Sequence, residues 1–141
     1  MIAFFDTSAI IPLVIAEQGT ARAQAAWRAA SRVHVIAPTA AEAQAALAAA
    51  LRAGRLDGAA EEAARRDLDR LLDDCACRSV DLRFARTAGQ LALEHGLRGY
   101  DAMQCMGPLD LDEQVVGVAG DRALLDAWAR LGVPTVDVLA A

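Results

Sequence analysis

Four acidic residues are the side chains of this sequence whose type and position best suit chemistry. Asp6 ends the first apolar run of the chain, and Asp121 lies just past the apolar segment Gln114–Val118. Glu42 lies in the first turns of an alanine-rich predicted helix, and Asp101 stands at the start of another. Residues that follow parallel strands collect at the carboxyl edge of the sheet, where open α/β folds bind their ligands. We therefore expect the four carboxylates to line one edge.

Carboxylates that converge in a cleft repel and raise one another's pKa unless a cation is present. Hard divalent cations such as Mg²⁺ and Mn²⁺ prefer oxygen ligands, hold phosphate oxygens and lower the pKa of a bound water. The chemistry indicated is metal-dependent hydrolysis of a phosphodiester. Each acid alone has a simpler interpretation. Asp6, Asp101 and Asp121 are placed as helix caps or first-turn acids, and Glu42 is placed to face solvent or a partner.

The basic residues of the chain exclude several function classes. There is no lysine, and all 14 basic residues are arginine. Walker A loops, Schiff-base enzymes and lysine-dependent phosphoryl transfer are therefore excluded. A phosphotransfer enzyme or receiver module also uses an Asp at a strand end, but it relies on a lysine beside that Asp. The net charge of −5 argues against generic attraction to nucleic acid or to an anionic membrane, although a metal-binding carboxylate cluster accounts for much of it.

The cysteines and histidines do not indicate a zinc site. Cys75, Cys77 and Cys105 form an odd set with no C-x-x-C motif, and His34 and His95 are not spaced with them as zinc ligands. We expect reduced thiols in the core and structural histidines. There is no signal peptide pattern and no uncharged run of ~18 residues. The chain is thus expected to be a cytoplasmic protein that makes no use of a membrane.

Apolar runs alternate with helix patterns along the whole chain. We expect residues 1–141 to form one domain. Predicted strands cover Ile2–Phe5, Val33–Ile36, Arg78–Leu82, Gln114–Val118 and Thr135–Val138. Strands separated by helices predict an α/β three-layer sandwich, with a parallel sheet of four or five strands and helices on both faces. A helix is predicted to begin near Asp101. We expect Gly107 and Pro108 to break or kink this helix early in its length.

Four short segments carry a resemblance to a known family. They read Phe4-Phe5-Asp6-Thr7-Ser8-Ala9, Thr39-Ala40-Ala41-Glu42, Leu97-Arg98-Gly99-Tyr100-Asp101-Ala102 and Gly120-Asp121-Arg122-Ala123-Leu124-Leu125. In this order and at these separations the chain resembles the PIN-domain nucleases. Within them it is similar to the VapC toxins of bacterial toxin–antitoxin pairs.

The resemblance implies a PIN-like fold and a Mg²⁺- or Mn²⁺-dependent ribonuclease. Asp6, Glu42, Asp101 and Asp121 would be the catalytic and metal-binding set, with Ser8 as an auxiliary polar residue. It also implies an RNA substrate, a VapB-like antitoxin as partner and a homodimer. The chain departs from the family pattern because it has no Thr or Ser two residues before Asp121. A non-catalytic PIN-like interaction module remains the alternative.

Overall fold

The computed structural model describes residues 1–141, in which strands and helices alternate. The strands are β1 (Ile2–Phe5), β2 (Arg32–Ile36), β3 (Ala76–Arg78), β4 (Val116–Ala119) and β5 (Thr135–Asp137). The helices are α1 (Thr7–Val14), α2 (Thr20–Ala29), α3 (Pro38–Arg52), α4 (Gly58–Asp73), α5 (Leu82–His95), α6 (Gly99–Leu109) and α7 (Arg122–Arg130).

All five strands form one parallel sheet in the order β3-β2-β1-β4-β5. The chain builds outward from β1 through β2 to β3, then crosses back and places β4 on the other side of β1. This reversal makes a topological switch point between β1 and β4, where open sheets leave a crevice at their carboxyl ends. Asp6 follows β1 and Asp121 follows β4, so the topology brings both to that crevice.

Helices cover both faces of the sheet, which confirms the predicted three-layer sandwich. Successive residues of a strand point to opposite faces. In β1, Phe5 packs with the helices α1 to α4, whereas Phe4 packs with α5 to α7. Phe4 meets the buried Trp128 of α7 edge to face, with ring centroids 6.1 Å apart. Each face thus has its own apolar core, and together they fix the strand ends that carry the acids.

Two strand boundaries differ from the predictions. The third strand covers Ala76–Arg78 and not 78–82, because Asp81 caps α5 by accepting the Phe84 N–H at 2.8 Å. The cap starts a helix where the alternation of apolar residues had indicated an extended segment. The fourth strand is shifted toward the C-terminus and covers Val116–Ala119.

The prediction that Gly107 and Pro108 would break α6 early is wrong, because the helix continues to Leu109. Pro108 lies in the last turn, where its missing N–H removes only one backbone hydrogen bond of the helix. Gly107 has a packing role instead. A Cβ atom at this position would lie 2.2 Å from the Phe4 ring, so glycine lets α6 approach the sheet closely.

Gly107→Ala is therefore expected to lower the free energy of unfolding by about 1–3 kcal/mol, since the methyl group overlaps a fully buried ring. Gly89→Ala in α5 is the matched control. A Cβ there meets nothing within 4 Å, and alanine should stabilise that helix by about 0.5–1 kcal/mol. Denaturant unfolding of both variants measures the difference. Equal stability of the two variants would show that α6 does not need this close approach.

The three cysteines are free, but only one lies fully in the core. Cys105 is buried, Cys75 is half-buried and Cys77 is exposed. The prediction of core thiols is therefore wrong for Cys77, because β3 is an edge strand and its outer residue faces solvent.

None of the helices combines the length and the apolar character needed to cross a membrane.

His34 is buried in β2, and neither of its ring nitrogens has a hydrogen-bond partner. Burial lowers the pKa of His34 below 6.5; Glu113 opposes this shift, while Arg32 and Arg78 add to it. The unfolded state therefore binds a proton more readily, and stability should fall as the pH drops below about 6.5. His34→Phe removes this titration. We expect urea unfolding at pH 7.5 and 5.5 to show a smaller loss for the variant, and equal losses would contradict the assignment.

Candidate active site

Asp6 is the most buried of the four predicted site residues, with 6% of its surface exposed. It caps α1, and its Oδ2 accepts the backbone N–H of Ser8 at 3.0 Å and also the Ser8 hydroxyl. The Ser8 Oγ in turn accepts the N–H of Gly120 at 2.8 Å. Ser8 thereby ties the turn after β1 to the turn after β4, and it brings a hydroxyl to the edge where the expected Thr or Ser before Asp121 is missing.

Glu42 projects from the second turn of α3 and is held by two donors on other helices. Its Oε1 accepts the hydroxyl of Thr7 at 3.1 Å and the Nε2 of Gln104 at 2.8 Å. Gln104 is fully buried in α6, and its Nε2 also lies 3.0 Å from Oγ1 of the buried Thr39. The side chain of Glu42 is therefore fixed by α1 and α6 together.

Asp101 and Asp121 line one small cleft of about 300 Å³. Asp121 caps α7 through Oδ1, which accepts the Leu124 N–H at 2.9 Å. Asp101 lies in the first turn of α6 and accepts no hydrogen bond from the protein. The other residues of the cleft are Gly96, Leu97, Arg98 and Ala123. Asp121 thus caps a helix and also lines the cleft. Asp101 lies in the first turn of a helix and also lines the cleft.

The four carboxylates act on one another electrostatically. Burial raises the pKa of Asp6 to about 6; the Ser8 hydrogen bonds oppose this, and the charges of Glu42 and Asp121 add to it. Burial also raises the pKa of Asp101, with added effects from Asp121 and Glu42 and opposition from Arg98. Capping alone favours the ionised carboxylate, so the raised pKa of Asp6 reflects a buried site shared with other acids.

Three of the acids share one arrangement of their oxygens. In each of them a single carboxylate oxygen accepts all the hydrogen bonds of the side chain. These oxygens are Oδ2 of Asp6, Oε1 of Glu42 and Oδ1 of Asp121. The second oxygen of each accepts none. No arginine or histidine forms an ion pair with any of the four acids. Anchored carboxylates with a free oxygen and no cationic partner fit a hard divalent cation chemically.

The distances place a limit on this fit. The structure brings together no three Asp, Glu, His or Cys side chains closely enough to hold a metal ion. A larger cleft, about 650 Å³, lies elsewhere, beside β3 and α5. Its Arg78 is paired with Asp110 at 2.6 Å, so its charge is already neutralised. The acids therefore share an edge and an electrostatic environment without forming a closed coordination shell.

The sequence itself assigns the chain to a family. Residues 3–105, well over half of the chain, match the model of the PIN domain. The chain belongs to the PIN domain family. Asp6, Glu42 and Asp101 lie inside the matched region, and Asp121 lies beyond it. Among curated proteins, none matches this PIN domain significantly.

Solved structures show the same fold. PAE2754 from Pyrobaculum aerophilum is 25% identical, with a TM-score of 0.71 over 95% of this chain and 83% of that chain. FitAB bound to the IR36 DNA fragment is 18% identical, with a TM-score of 0.71 over 100% and 97%. VapBC2 from Rickettsia felis, bound to a DNA fragment from their promoter, is 12% identical, with a TM-score of 0.63 over 97% and 98%. The expected PIN-like fold is confirmed.

Sequence reasoning missed the residues that hold Glu42. Gln104 follows Asp101 by three positions, and residues three apart share one face of a helix. The same face of α6 therefore carries a carboxylate and an amide toward Glu42. A polar residue three positions after a predicted site acid, in an otherwise apolar helix, was the available signal. Thr7 and Thr39 gave no such signal, because both stand where helix starts alone explain a threonine.

Proposed function

We propose that residues 1–141 act as a single Mg²⁺- or Mn²⁺-dependent endoribonuclease domain, a toxin that a cognate VapB-like antitoxin neutralises. The observation that carries the proposal is the set of four carboxylates that form no ion pair, three of which have one anchored oxygen and one free oxygen. Membership of the PIN domain family supports a nuclease. The similarity in structure to VapBC2 and FitAB supports a toxin that works with an antitoxin.

In this proposal Asp6 and Asp101 are the main metal ligands, Glu42 holds the cation or its water, and Asp121 completes the outer part of the site. The cation, when bound, would neutralise phosphate oxygens and acidify a water. The chain supplies the orientation. Ser8 donates its hydroxyl to Oδ2 of Asp6 and accepts the N–H of Gly120, so it holds both Asp6 and the turn after β4. The free carboxylate oxygens can then place the attacking water in line with the leaving oxygen.

The cleft has no lysine or histidine to act as a general base on the ribose 2′-hydroxyl, and in this proposal its carboxylates hold the cation and its water instead. Lysine is absent from the chain, His34 is buried in β2, and Nδ1 of His95 accepts a hydrogen bond from Arg130 at 3.2 Å. Neither histidine lines the cleft of Asp101 and Asp121. We therefore expect water to attack phosphorus, which leaves no 2′,3′-cyclic phosphate on the products.

The test is cleavage of an end-labelled single-stranded RNA by the purified protein, with Mn²⁺ and with EDTA. We expect cleavage with Mn²⁺ only, and products that carry a phosphate at one new end and a hydroxyl at the other. Asp6→Asn, purified in the same way, is the control for a contaminating ribonuclease. Cyclic phosphate products, or equal cleavage in EDTA, would overturn the proposed mechanism. Sequencing of the 5′ ends of cellular RNA after induced expression would then identify the target.

A non-catalytic interaction module is the second candidate. The observation in its favour is that no three acidic side chains lie close enough together to hold a metal ion. Calorimetric titration with Mn²⁺ separates the two candidates. An enzyme should bind Mn²⁺ and lose that binding in Asp6→Asn. An interaction module should show no binding of Mn²⁺ that depends on Asp6.

The antitoxin is proposed to insert an arginine among the carboxylates. The support is charge complementarity: none of the four acids forms an ion pair within the chain, and an arginine–carboxylate pair is a strong charge-assisted hydrogen bond. A structure of the complex tests this. Coverage of Asp6 and Asp101 by an arginine-bearing segment is the expected result, and full solvent exposure of both would rule it out.

Two further parts of the proposal concern assembly and location. We propose a homodimer, which the resemblance to the VapC toxins implies. Light scattering after size exclusion should give a mass near twice the 14.8 kDa of one chain, and a monomeric mass would contradict it. We also propose a cytoplasmic location, which the three free thiols fit.

A further inference from the structure

Gln104 is the only side-chain amide that forms a hydrogen bond with one of the four acids, and it lies in the protein interior. Its side chain is fully buried in α6. Its Nε2 lies 2.8 Å from Oε1 of Glu42, 3.1 Å from Oγ1 of Thr7 and 3.0 Å from Oγ1 of Thr39. The amide thus joins three helices, because Thr7 belongs to α1, Thr39 and Glu42 to α3, and Gln104 to α6.

The number of hydrogen atoms decides which of these contacts matter. An amide nitrogen carries two hydrogens, so Nε2 of Gln104 cannot serve three acceptors at once. The contact with Glu42 is the shortest, and hydrogen bonds to an ionised acceptor are the strongest. Thr7 donates its hydroxyl to the same Oε1 at 3.1 Å. Both donors therefore act on Oε1, and Oε2 of Glu42 accepts no hydrogen bond from the protein.

Stability of the fold alone does not explain this amide. Oε1 of Gln104 is buried without any hydrogen-bond partner, which costs free energy that an apolar side chain of the same size would not cost. The position lies in a helix whose neighbouring residues Ala102 and Cys105 belong to the apolar core. A methionine or leucine would suit such a position at least as well, so the amide must serve the group that it contacts.

We propose that Gln104 is a positioning residue that holds Oε1 of Glu42 and so presents Oε2 to the divalent cation. An arginine in its place would pair with Glu42 and cancel the charge that attracts the cation, whereas an amide fixes the oxygen and leaves the charge intact. The inference rests on the proposed function, since it needs Glu42 to be a metal ligand or to hold the ligand water.

The test is Gln104→Met in the full chain, because methionine has a similar length and cannot donate a hydrogen bond. We expect calorimetry to give a Kd for Mn²⁺ about 10–100-fold higher than that of the parent, as for other residues that orient metal ligands. The KM for RNA should stay within about twofold while kcat at limiting Mn²⁺ falls in parallel. Thr39→Val is the matched control, since it removes a contact of Gln104 but neither donor to Glu42, and its Kd should stay within about threefold.

A double-mutant cycle shows whether Gln104 acts through Glu42. Once Glu42→Ala has removed the carboxylate, Gln104→Met should change the Kd no further. Should Gln104→Met fail to fold, Thr7→Val deletes the other donor to Oε1 and should raise the Kd in the same way. Unchanged Mn²⁺ binding in these variants, with a parent that binds Mn²⁺ and cleaves RNA, would overturn the inference alone. A parent that neither binds Mn²⁺ nor cleaves RNA would overturn the proposed function together with it.

Discussion

Asp6→Asn is expected to stabilise the protein in EDTA at pH 7.5 and to lower its metal-dependent RNA cleavage by at least about 100-fold. The two effects have one cause, the burial of a carboxylate beside other acids. A pKa raised from 3.8 to about 6 corresponds to about 3 kcal/mol of stability lost at neutral pH. Asparagine caps helices as well as aspartate does, so much of this free energy should be recovered. At roughly 3–4 °C per kcal/mol, the melting temperature should rise by roughly 3–10 °C.

The loss of cleavage follows from the proposed role of Asp6 as a ligand. Changing residues that only orient metal ligands costs about 10–100-fold in affinity or activity, so loss of a ligand should cost at least as much as the upper value. The stability gain should also depend on pH. The folded state binds the Asp6 proton more tightly than the unfolded state, so the gain is full above about pH 6 and disappears as the pH falls toward 3.8.

Asp81→Asn is the matched control for this experiment. Asp81 caps α5 in the same way as Asp6 caps α1, with its carboxylate 2.8 Å from the Phe84 N–H, but it lies on the exposed surface. We expect a change within about 0.5 kcal/mol and full cleavage activity for this variant. If Asp6→Asn melts lower than the parent in EDTA at pH 7.5, then Asp6 is a structural cap and its assignment to the site is wrong.

Mn²⁺ is expected to stabilise the parent strongly and Asp101→Asn weakly. Only the folded chain presents the site, so a cation at 100 times its Kd should add about 2.7 kcal/mol to the free energy of unfolding. If Asp101→Asn raises the Kd about 100-fold, the same concentration equals the Kd of the variant and adds only about 0.4 kcal/mol. Thermal melts of both proteins with EDTA and with Mn²⁺ measure the two shifts.

Asp101→Asn should also melt higher than the parent in EDTA, because burial and the charges of Asp121 and Glu42 raise the pKa of Asp101. Asp67→Asn on the exposed face of α4 controls for the loss of one negative charge, and its Mn²⁺ shift should equal that of the parent. Equal Mn²⁺ shifts in the parent and in Asp101→Asn would mean that the cation binds elsewhere on the chain.

The acids and the layers were predictable because they depend on patterns that the chain carries locally. Apolar runs that end at Asp6 or just before Asp121 indicate parallel strands, and parallel strands have one carboxyl edge. The alternation of strands and helices then determines the three-layer arrangement, which the sheet order and the two cores confirm.

The remaining features depend on contacts between distant parts of the chain. Gly107 looks like a helix breaker until the Phe4 ring beneath it is known. Gln104 looks like an ordinary helical residue until its contact with Glu42, 62 positions earlier, is seen. The third strand was misplaced because Val80 and Leu82 alternate like strand residues while the Asp81 cap starts α5. No local pattern contains these relations.

The most direct test of the metal site is an anomalous difference map from crystals grown with saturating Mn²⁺ and measured at the manganese absorption edge. The proposal predicts a peak in the cleft beside Asp101 and Asp121. Carboxylate oxygens of Asp6 and Asp101 should lie about 2.0–2.2 Å from the peak, with Oε2 and not Oε1 of Glu42 facing the ion or its water. A cleft without a peak at a Mn²⁺ concentration that supports RNA cleavage, or a peak at another place on the chain, would contradict the account.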